Sequence, residues 1–547
     1  MIGELLNSFF GQHLPVLPVL LPMFTAVALL LIGDGGGQSS HGGTQLRARR
    51  WVSMTSVIFG AVLAWRLLTE AASGPLTVYP LGAWPAPFGI VLVIDRLSAL
   101  MLALTWTIAA PVLWYSTGGW DSHGRHFHAL FHFQLMGLSG AFITGDLFNL
   151  FVFFEVLLIA SYVLMVHGQG RDRFRAGLHY VVLNLAASAL FLIGLAIIYA
   201  VTGTLNMADL ALRITQLEPE QASLLKAGAM VLLVVFGLKA AIAPLYMWLP
   251  TTYAAASAPV AALFAIMTKV GVYSIIRVHA VMLGEGAGHA AFAAAPWLLP
   301  IALLTTVLGV FGALAAHSLA QLVSYLTVSS IGIILAAVGL FTPESMSAAL
   351  YYTVHSTLVM AALFLLVELV AAQRGAAGDH LQPAPPVAQP VALGLMTLLG
   401  AASAAGLPPL PGFLGKLMVL ESAAATPAHT WVWAVVLGAG FLTLVGLARA
   451  GAILFWNVLP GRPDDCSAGS SGRLMTATLS LLALSLLLAV AASPLKRYTD
   501  ATAAQLADRN GYADAVLNAV GGSAAQTTRP YRGGEGEVKL PGKAVAP

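Results

Sequence analysis

Charge is what this sequence has least of. Of its 547 residues only 9% are charged while 58% are hydrophobic, and the mean hydropathy is +0.84. A soluble globular protein carries roughly 25% charged residues. A chain of this size in water would have to cover its surface with Ala, Leu and Val, which excludes a soluble enzyme. Cysteine is almost absent too. Cys466 stands alone, which rules out an internal disulfide and any four-thiolate zinc or iron–sulfur site. Neither sign of charge dominates, since 26 Lys+Arg against 23 Asp+Glu leave +3, and nothing points to nucleic acid. No basic stretch precedes the first apolar run, so 15–32 reads as a retained span and not a cleaved signal. The Gly-rich loop at 33–43 lacks the spacing and strand context of a phosphate loop.

What is there is apolar sequence in bilayer-length runs. About fourteen spans are predicted, at 15–32, 51–70, 90–116, 128–145, 147–167, 175–202, 223–249, 256–282, 297–316, 319–341, 346–372, 391–420, 431–459 and 474–494. Lipid offers the backbone no hydrogen bonds, so the spans are helices, and the runs are too long and too little alternating for strands. Residues 203–222, with Leu205, Leu210, Leu212, Ile214 and Leu217 among polar residues, are expected to form an interfacial helix. Basic residues concentrate in the loops after odd-numbered spans (Arg47, Arg49, Arg50, Arg125, Arg171, Arg173, Arg175, Arg374, Arg462, Arg473), against essentially Arg213 in the others. The odd loops are then cytoplasmic and both termini lie on the outer side, with Lys496 and Arg497 as the one discordant pair. The tail 495–547 holds twelve charged residues of mixed sign and is expected to be loosely ordered.

The ionisable groups left in lipid carry the functional information, because each costs a few kcal/mol and needs a partner or a purpose. Glu155, Lys239 and Lys269 lie mid-span, and Lys416 lies in the second half of its span. Three amines and one carboxylate cannot all pair, so at least two amines are left neutral or hydrated, as a proton path requires. Two of the lysines stand beside prolines. Pro244 removes the hydrogen bond to the carbonyl of Ala240, and Pro408, Pro409 and Pro411 free carbonyls near Ala404, Ala405 and Leu407. A Pro break beside a Lys, occurring twice, suggests a structural repeat with half-helix ends at the midplane. A polar stripe lies between them: Gln321, Tyr325 and Ser329 on span ten, and Tyr351 with His355 and Tyr352 with Ser356 on span eleven. Such stripes usually make helix–helix hydrogen bonds. With His355, a residue type whose free side chain titrates near neutrality, this one is expected to offer a water path from Lys269 to Lys416.

Other groupings say less. His123, His126, His128 and His132 cluster at the start of span four, but without a thiol or an ordered carboxylate they make a poor metal site, and no metal or cofactor is expected. Asp95, Arg96 and Arg277 sit near span ends as anchors or local pairs, while Glu368 and Arg449 lie deeper, as secondary relay sites or subunit contacts. No nucleophile–base–orienter set argues for covalent catalysis.

Several segments resemble one family. Gly145-Asp-Leu-Phe-Asn-Leu-Phe-Val-Phe-Phe-Glu155, running on to Ser161-Tyr162, is similar to helix five of the antiporter-like proteins. These are the proton-pumping subunits of respiratory complex I and the large subunits of Mrp-type cation/proton antiporters. Lys239 to Pro250 resembles their broken helix seven, Ala258 to Tyr273 helix eight, and Gly406-Leu-Pro-Pro-Leu-Pro-Gly-Phe-Leu-Gly-Lys416 broken helix twelve. The likeness runs across about 130–425 and is greatest to the Mrp-type branch. It implies an all-α polytopic fold with two inverted five-helix repeats, spans four to eight (128–282) and nine to thirteen (297–459). Three helices precede them (1–127), and a fourteenth span (474–494) and the tail follow. It implies a Glu155–Lys239 ion pair that gates proton uptake, Lys269 as mid-membrane acceptor and Lys416 as the group passing the proton onward. The sequence departs from the pattern at Tyr246 and Tyr253, where relatives often carry His, and at Met360, aligned with a relay Lys.

The resemblance implies one component of a hetero-oligomeric antiporter in a bacterial cytoplasmic membrane, exchanging Na⁺ or another monovalent cation for H⁺. Na⁺ prefers several oxygen ligands, and Glu155 is the one central carboxylate, so this chain carries the proton while cation transfer involves a partner. The alternatives are a proton-pumping subunit of a complex I or hydrogenase relative, and a scaffold with vestigial charges.

Overall fold

The computed structural model describes residues 11, 13–33, 42–460 and 469–519. Twelve helices are long and apolar enough to cross a membrane, and two shorter apolar helices, Phe127–Ile143 and Pro390–Ala405, join them. All fourteen expected spans therefore find a helix. In chain order these are α1 (Leu17–Ile32), α2 (Gly42–Ser73), α3 (Arg96–Ser116), α4 (Phe127–Ile143), α5 (Leu147–Met165) and α6 (Arg171–Thr202). A short α7 (Met207–Arg213) leads to α8 (Pro219–Ala240) and α9 (Trp248–Ala255), the two halves of span seven. Then come α10 (Ala258–Ile275), α11 (Ala295–Ala315), α12 (Leu319–Val338) and α13 (Pro343–Ala372). Span twelve is split into α14 (Pro390–Ala405) and α15 (Pro411–Ala423), followed by α16 (His429–Gly451) and α17 (Gly472–Val490). Two further helices, α18 (Ala492–Ala507) and α19 (Arg509–Leu517), lie beyond the last span.

Helix starts are set by side chains that accept orphan N–H groups. Asp95 accepts from Ser98 N, Asp146 from Asn149 N and Ser318 from Gln321 N, and Thr342 forms a capping box with Ser345. Helices α10 and α13 pack against each other and are buried almost throughout, with α12 beside them. The periphery is apolar on the outside: Leu31 of α1, Trp51 of α2, Phe174 of α6 and Leu398 of α14 all face outward. Lysine-bearing α10 is therefore the centre of the protein and is walled from lipid by other helices.

The fold is all-α but for one short hairpin, and two other expectations need correction. Thr77–Pro80 (β1) and Val91–Ile94 (β2) form an antiparallel hairpin in register Thr77↔Ile94. Its second strand takes the first residues of the expected span 90–116, whose helix begins only at Arg96. The segment 203–222 is not one interfacial helix. Only Met207–Arg213 is α-helical in its interior, and Met207, Ala208 and Leu210 are buried. Arg213 pairs with Asp209 at 2.9 Å and donates to the Thr202 carbonyl, so its charge is satisfied inside the protein. The tail is ordered as far as residue 519. Its polar composition hides a helical period, with Tyr498, Thr502, Leu506, Ala513, Val516 and Leu517 turned inward. Helix α19 covers α7, while the Tyr498 hydroxyl donates to the Arg96 carbonyl at 2.9 Å. The expectation for 520–547 lies outside the described residues.

Candidate functional site

The two helix breaks are built differently. At the first, Ala241 takes a left-handed conformation (φ 63°) that ends α8 three residues before Pro244. The Leu238 carbonyl is taken by the Trp248 indole N–H at 3.0 Å, and the Ala243 N–H is taken by Thr305 Oγ1 at 2.8 Å. Neutral donors and acceptors therefore satisfy this break. Lys239, buried one residue before the end of α8, sends its amine sideways to Asn184 Oδ1 at 3.0 Å. At the second break Gly406 is left-handed (φ 84°) and the lysine itself does the capping. Lys416 Nζ donates to the Ala405 carbonyl at 2.7 Å and to that of Ala404 at 3.3 Å. These are two of the carbonyls that the prolines were expected to free. Beside this amine, Gly406, Phe413, Leu437 and Gly440 line a pocket of about 240 Å³.

Glu155 and Lys239 are joined through α6 and do not touch. The Ser188 hydroxyl donates to Glu155 Oε1 at 2.5 Å, one helical turn from Asn184, and it also reaches the Asn184 carbonyl at 3.0 Å. Among the described residues no carboxylate lies within 4.0 Å of Lys239 as an ion pair. The Lys239 amine instead stands 5.8 Å from the centre of the Phe154 ring, adjacent in sequence to Glu155. Asn184 and Ser188 are the residues that sequence reasoning missed. The available signal was an amide and a hydroxyl at i, i+4 in an otherwise apolar stretch of 175–202.

Lys269 is fully buried in α10, and its Nζ has no hydrogen-bond partner. An enclosed amine without an acceptor costs free energy unless water reaches it or the proton leaves. His355 is buried on α13, its Nδ1 without a partner, and its ring packs at 5.8 Å from Tyr352. A side chain added at Gly412 of α15 would meet His355 Nε2 at 2.8 Å, so the imidazole lies against the second break. His355 and Lys416 thus belong to one neighbourhood, and Glu155 and Lys239 to another.

The polar stripe is divided. Ser329 donates to the Thr306 carbonyl at 3.2 Å, an interhelix bond of the ordinary kind, and Tyr325 packs on Gly312. Gln321 lines an open cleft of about 930 Å³ with Arg175, His179, His317 and Asp379. Ser356 bonds to the Thr353 carbonyl at 3.3 Å. Tyr351 reaches the Leu488 carbonyl at 3.4 Å. No continuous row of side-chain hydrogen bonds joins Lys269 to Lys416 among the described residues, and Met360 is buried apolar sequence between them on α13.

Several other charged residues find local partners. Asp95 pairs with Arg277 at 2.5 Å, and Arg277 also donates to Tyr273 and Ser98. Arg449 donates to the Leu314 carbonyl. The histidines of the α3–α4 region are spent singly. His128 Nε2 meets Asp121 at 3.1 Å, His132 meets Ser53 at 3.0 Å and His123 meets the Gly119 carbonyl at 2.9 Å. Burial pushes the Asp121 carboxyl up, but hydrogen bonds from Arg50 and His128 outweigh it and hold the group below the usual carboxylate value.

Residues 144–443 match the family model described as NADH:quinone oxidoreductase/Mrp antiporter, TM. The chain belongs to this family. The D subunit of a probable K⁺/H⁺ antiporter of Rhizobium meliloti (strain 1021) is 41% identical over 540 residues, 93% of this chain and 98% of that protein. The D subunit of the Na⁺/H⁺ antiporter of Bacillus subtilis (strain 168) is 36% identical over 505 residues, 92% and 99% of the two chains. The solved Mrp complex from Dietzia sp. DQ12-45-1b contains a chain that superposes with a TM-score of 0.82 at 26% identity, covering 92% and 99%. Respiratory complex I from Thermus thermophilus shares the fold at 24% identity, with a TM-score of 0.74. Within the family the chain falls with the D subunits of Mrp-type antiporters, and it is a multi-pass membrane protein.

Proposed function

We propose that this chain is the proton-carrying subunit of a multisubunit monovalent cation/H⁺ antiporter. The observation that carries this reading is the pair of helix breaks, each with a buried lysine. Lys416 caps its break directly, and Lys239 is held beside Glu155 by one turn of α6. In this reading Glu155 and Lys239 exchange a proton by rearranging around Asn184 and Ser188. Lys269 then takes the proton at mid-membrane, and Lys416 with His355 delivers it onward. Water bridges the apolar interval at Met360. Cation movement is coupled through partner subunits, because Glu155 is the one carboxylate at mid-span and a Na⁺ or K⁺ cage needs several oxygens. The 41% and 36% identities to antiporter subunits favour antiport over redox-driven pumping.

The same reading divides the chain into three leading helices (1–127), repeats at 128–282 and 297–459, and a closing span at 474–494. Gln321, Tyr325, Ser329, Tyr352 and Ser356 support the water path, and Pro244, Pro408, Pro409 and Pro411 make the breaks. Both ends of the span array face outward, with α18 and α19 lying on that side of a bacterial cytoplasmic membrane.

The test is cation-driven proton movement in vesicles holding the assembled complex. Lys239→Ala and Glu155→Ala are each expected to abolish exchange while leaving co-purification of the other subunits unchanged. Exchange at the wild-type rate in either assembled variant overturns the proposal.

A further inference from the structure

The loop between α3 and α4 holds groups that the mid-membrane chain does not use, and Trp120 is their meeting point. Its indole N–H donates to Glu368 Oε1, near the end of α13. Its carbonyl accepts from His167 Nε2 at 3.0 Å, just beyond the end of α5. The Arg173 guanidinium, in the first turn of α6, stands 4.9 Å from the centre of the Trp120 ring, and the ring of exposed His123 lies 4.9 Å from it. Trp120 therefore links α6 and α13 through its indole and the end of α5 through its carbonyl.

Glu368 is the acid in this cluster, and only half of its carboxyl is engaged. Oε2 is enclosed and has no hydrogen-bond partner. Tyr115 of α3 lies against the carboxyl, its hydroxyl donating to the Leu365 carbonyl at a long 3.4 Å and within reach of Glu368, and Arg173 of α6 is the charged group facing it. Arg173 makes no ion pair with it; its Nε donates to the Ala255 carbonyl at 3.0 Å and its Nη1 to those of Gln169 at 3.3 Å and His167 at 3.4 Å. An ionised carboxyl here leaves Oε2 bare but has the field of Arg173. A protonated one carries its hydrogen on Oε2 and no charge. Both forms keep Oε1 as acceptor for the indole, and the bond is stronger when the acceptor is charged. Adding or removing a proton thus changes the strength of one tie without changing its geometry, as a protonation-dependent latch requires.

The tie has consequences at a distance because of what its helices carry. Helix α6 presents Asn184 and Ser188 to Lys239 and Glu155, and α13 carries His355 and packs against Lys269-bearing α10. Glu368 is not a direct link in the wire. It lies about 20 Å along the helix from His355, and buried Ala361 and Leu365 intervene.

We infer that Glu368 is a proton-binding site, reached past His123, whose state sets how firmly Trp120 ties α13 to α6, and thereby the rate of transfer between Glu155 and Lys239. The inference rests on the proton-carrying role proposed above.

Glu368→Gln keeps the acceptor for Trp120 and the side-chain volume but cannot ionise, so it holds the site in its neutral state. The experiment measures exchange by the assembled complex in vesicles while the pH is varied on the side of the 117–126 loop. Wild-type and Glu368→Gln are expected to coincide at low pH and to separate as pH rises, the variant keeping its low-pH rate where the wild type changes. Superimposable profiles overturn the inference. Trp120→Phe removes the indole donor and keeps the carboxyl, and it is expected to flatten the same limb. An unchanged profile in that variant overturns the latch, and it decides the matter if Glu368→Gln does not assemble. Lys239→Ala is the control. If it leaves exchange intact, the proton-carrying reading is at fault. If it abolishes exchange while Glu368→Gln matches wild type, the inference fails alone.

Discussion

Individual residues differ in how much of their environment they can lose. Gly412 is the tightest case near the site, because a Cβ there would overlap the Ser403 carbonyl and press on His355 Nε2. Gly412→Ala is expected to push α15 off α14, to cost about 1–3 kcal/mol by overpacking and to weaken transport, read as a lower melting temperature together with slower exchange. Asn184→Leu tests the bridge. It removes the acceptor for the Lys239 amine at nearly constant volume and is expected to reduce exchange at least tenfold, about 1.4 kcal/mol in barrier, with assembly unchanged. Asp121 supplies the pH prediction. Its carboxyl, first raised by burial and then brought below its usual value by Arg50 and His128, binds protons less readily folded than unfolded. Its contribution is therefore present above the unfolded value of roughly 3.9 and is lost as pH falls through the lower folded value. Arg50→Gln removes two hydrogen bonds of 2.6 and 2.7 Å. It is expected to destabilise the protein by about 1–3 kcal/mol near neutrality, with a smaller loss at acid pH, measured by thermal unfolding across pH.

At the scale of elements, the breaks show how far local sequence reaches. Proline chemistry made the free carbonyls of Ala404 and Ala405 legible, and Lys416 occupies them. The same reasoning at Pro244 pointed to Ala240, yet α8 ends earlier and Trp248 caps Leu238 instead. Proline dictates that a helix stops, whereas tertiary neighbours dictate which donors fill the gap. Helix α10 meets the first break through Gly271, where a Cβ would lie 2.5 Å from Ala240 N and 2.7 Å from the Phe236 carbonyl. Gly271→Ala is expected to force α10 away from α8 and to lower the melting temperature, with exchange falling along with it because Lys269 moves with α10. Charge composition misjudged helices α18 and α19 because it averages over faces, while their inward faces bury Ala503 and Leu506, and Ala513, Val516 and Leu517. Truncation after residue 491 removes the bond from the Tyr498 hydroxyl to the Arg96 carbonyl, the one Gln505 Oε1 accepts from the Arg96 N–H, and those from Arg509 to the Met282 and Gly286 carbonyls. The expected outcome is a complex that assembles but unfolds at lower temperature.

For the whole molecule, the decisive facts are a buried α10–α13 centre and a periphery of outward apolar side chains such as Leu31, Trp51 and Val391. The sequence alone determined the solvent and the number of apolar helices, and it singled out the four charged groups on which the proposed proton path rests. Those follow from local chemistry: run length against bilayer thickness, the cost of a charge in lipid, and the missing proline N–H. Only the tertiary structure decided which groups meet. It put Asn184 and Ser188 between Lys239 and Glu155, turned the α3–α4 histidines to separate partners, and joined Glu368 to Trp120 across 248 residues of chain. Contacts of that kind depend on how distant helices pack, and no local pattern of residues encodes them. Scarcity of charge marked the chain as a membrane protein; packing decided what each remaining charge touches.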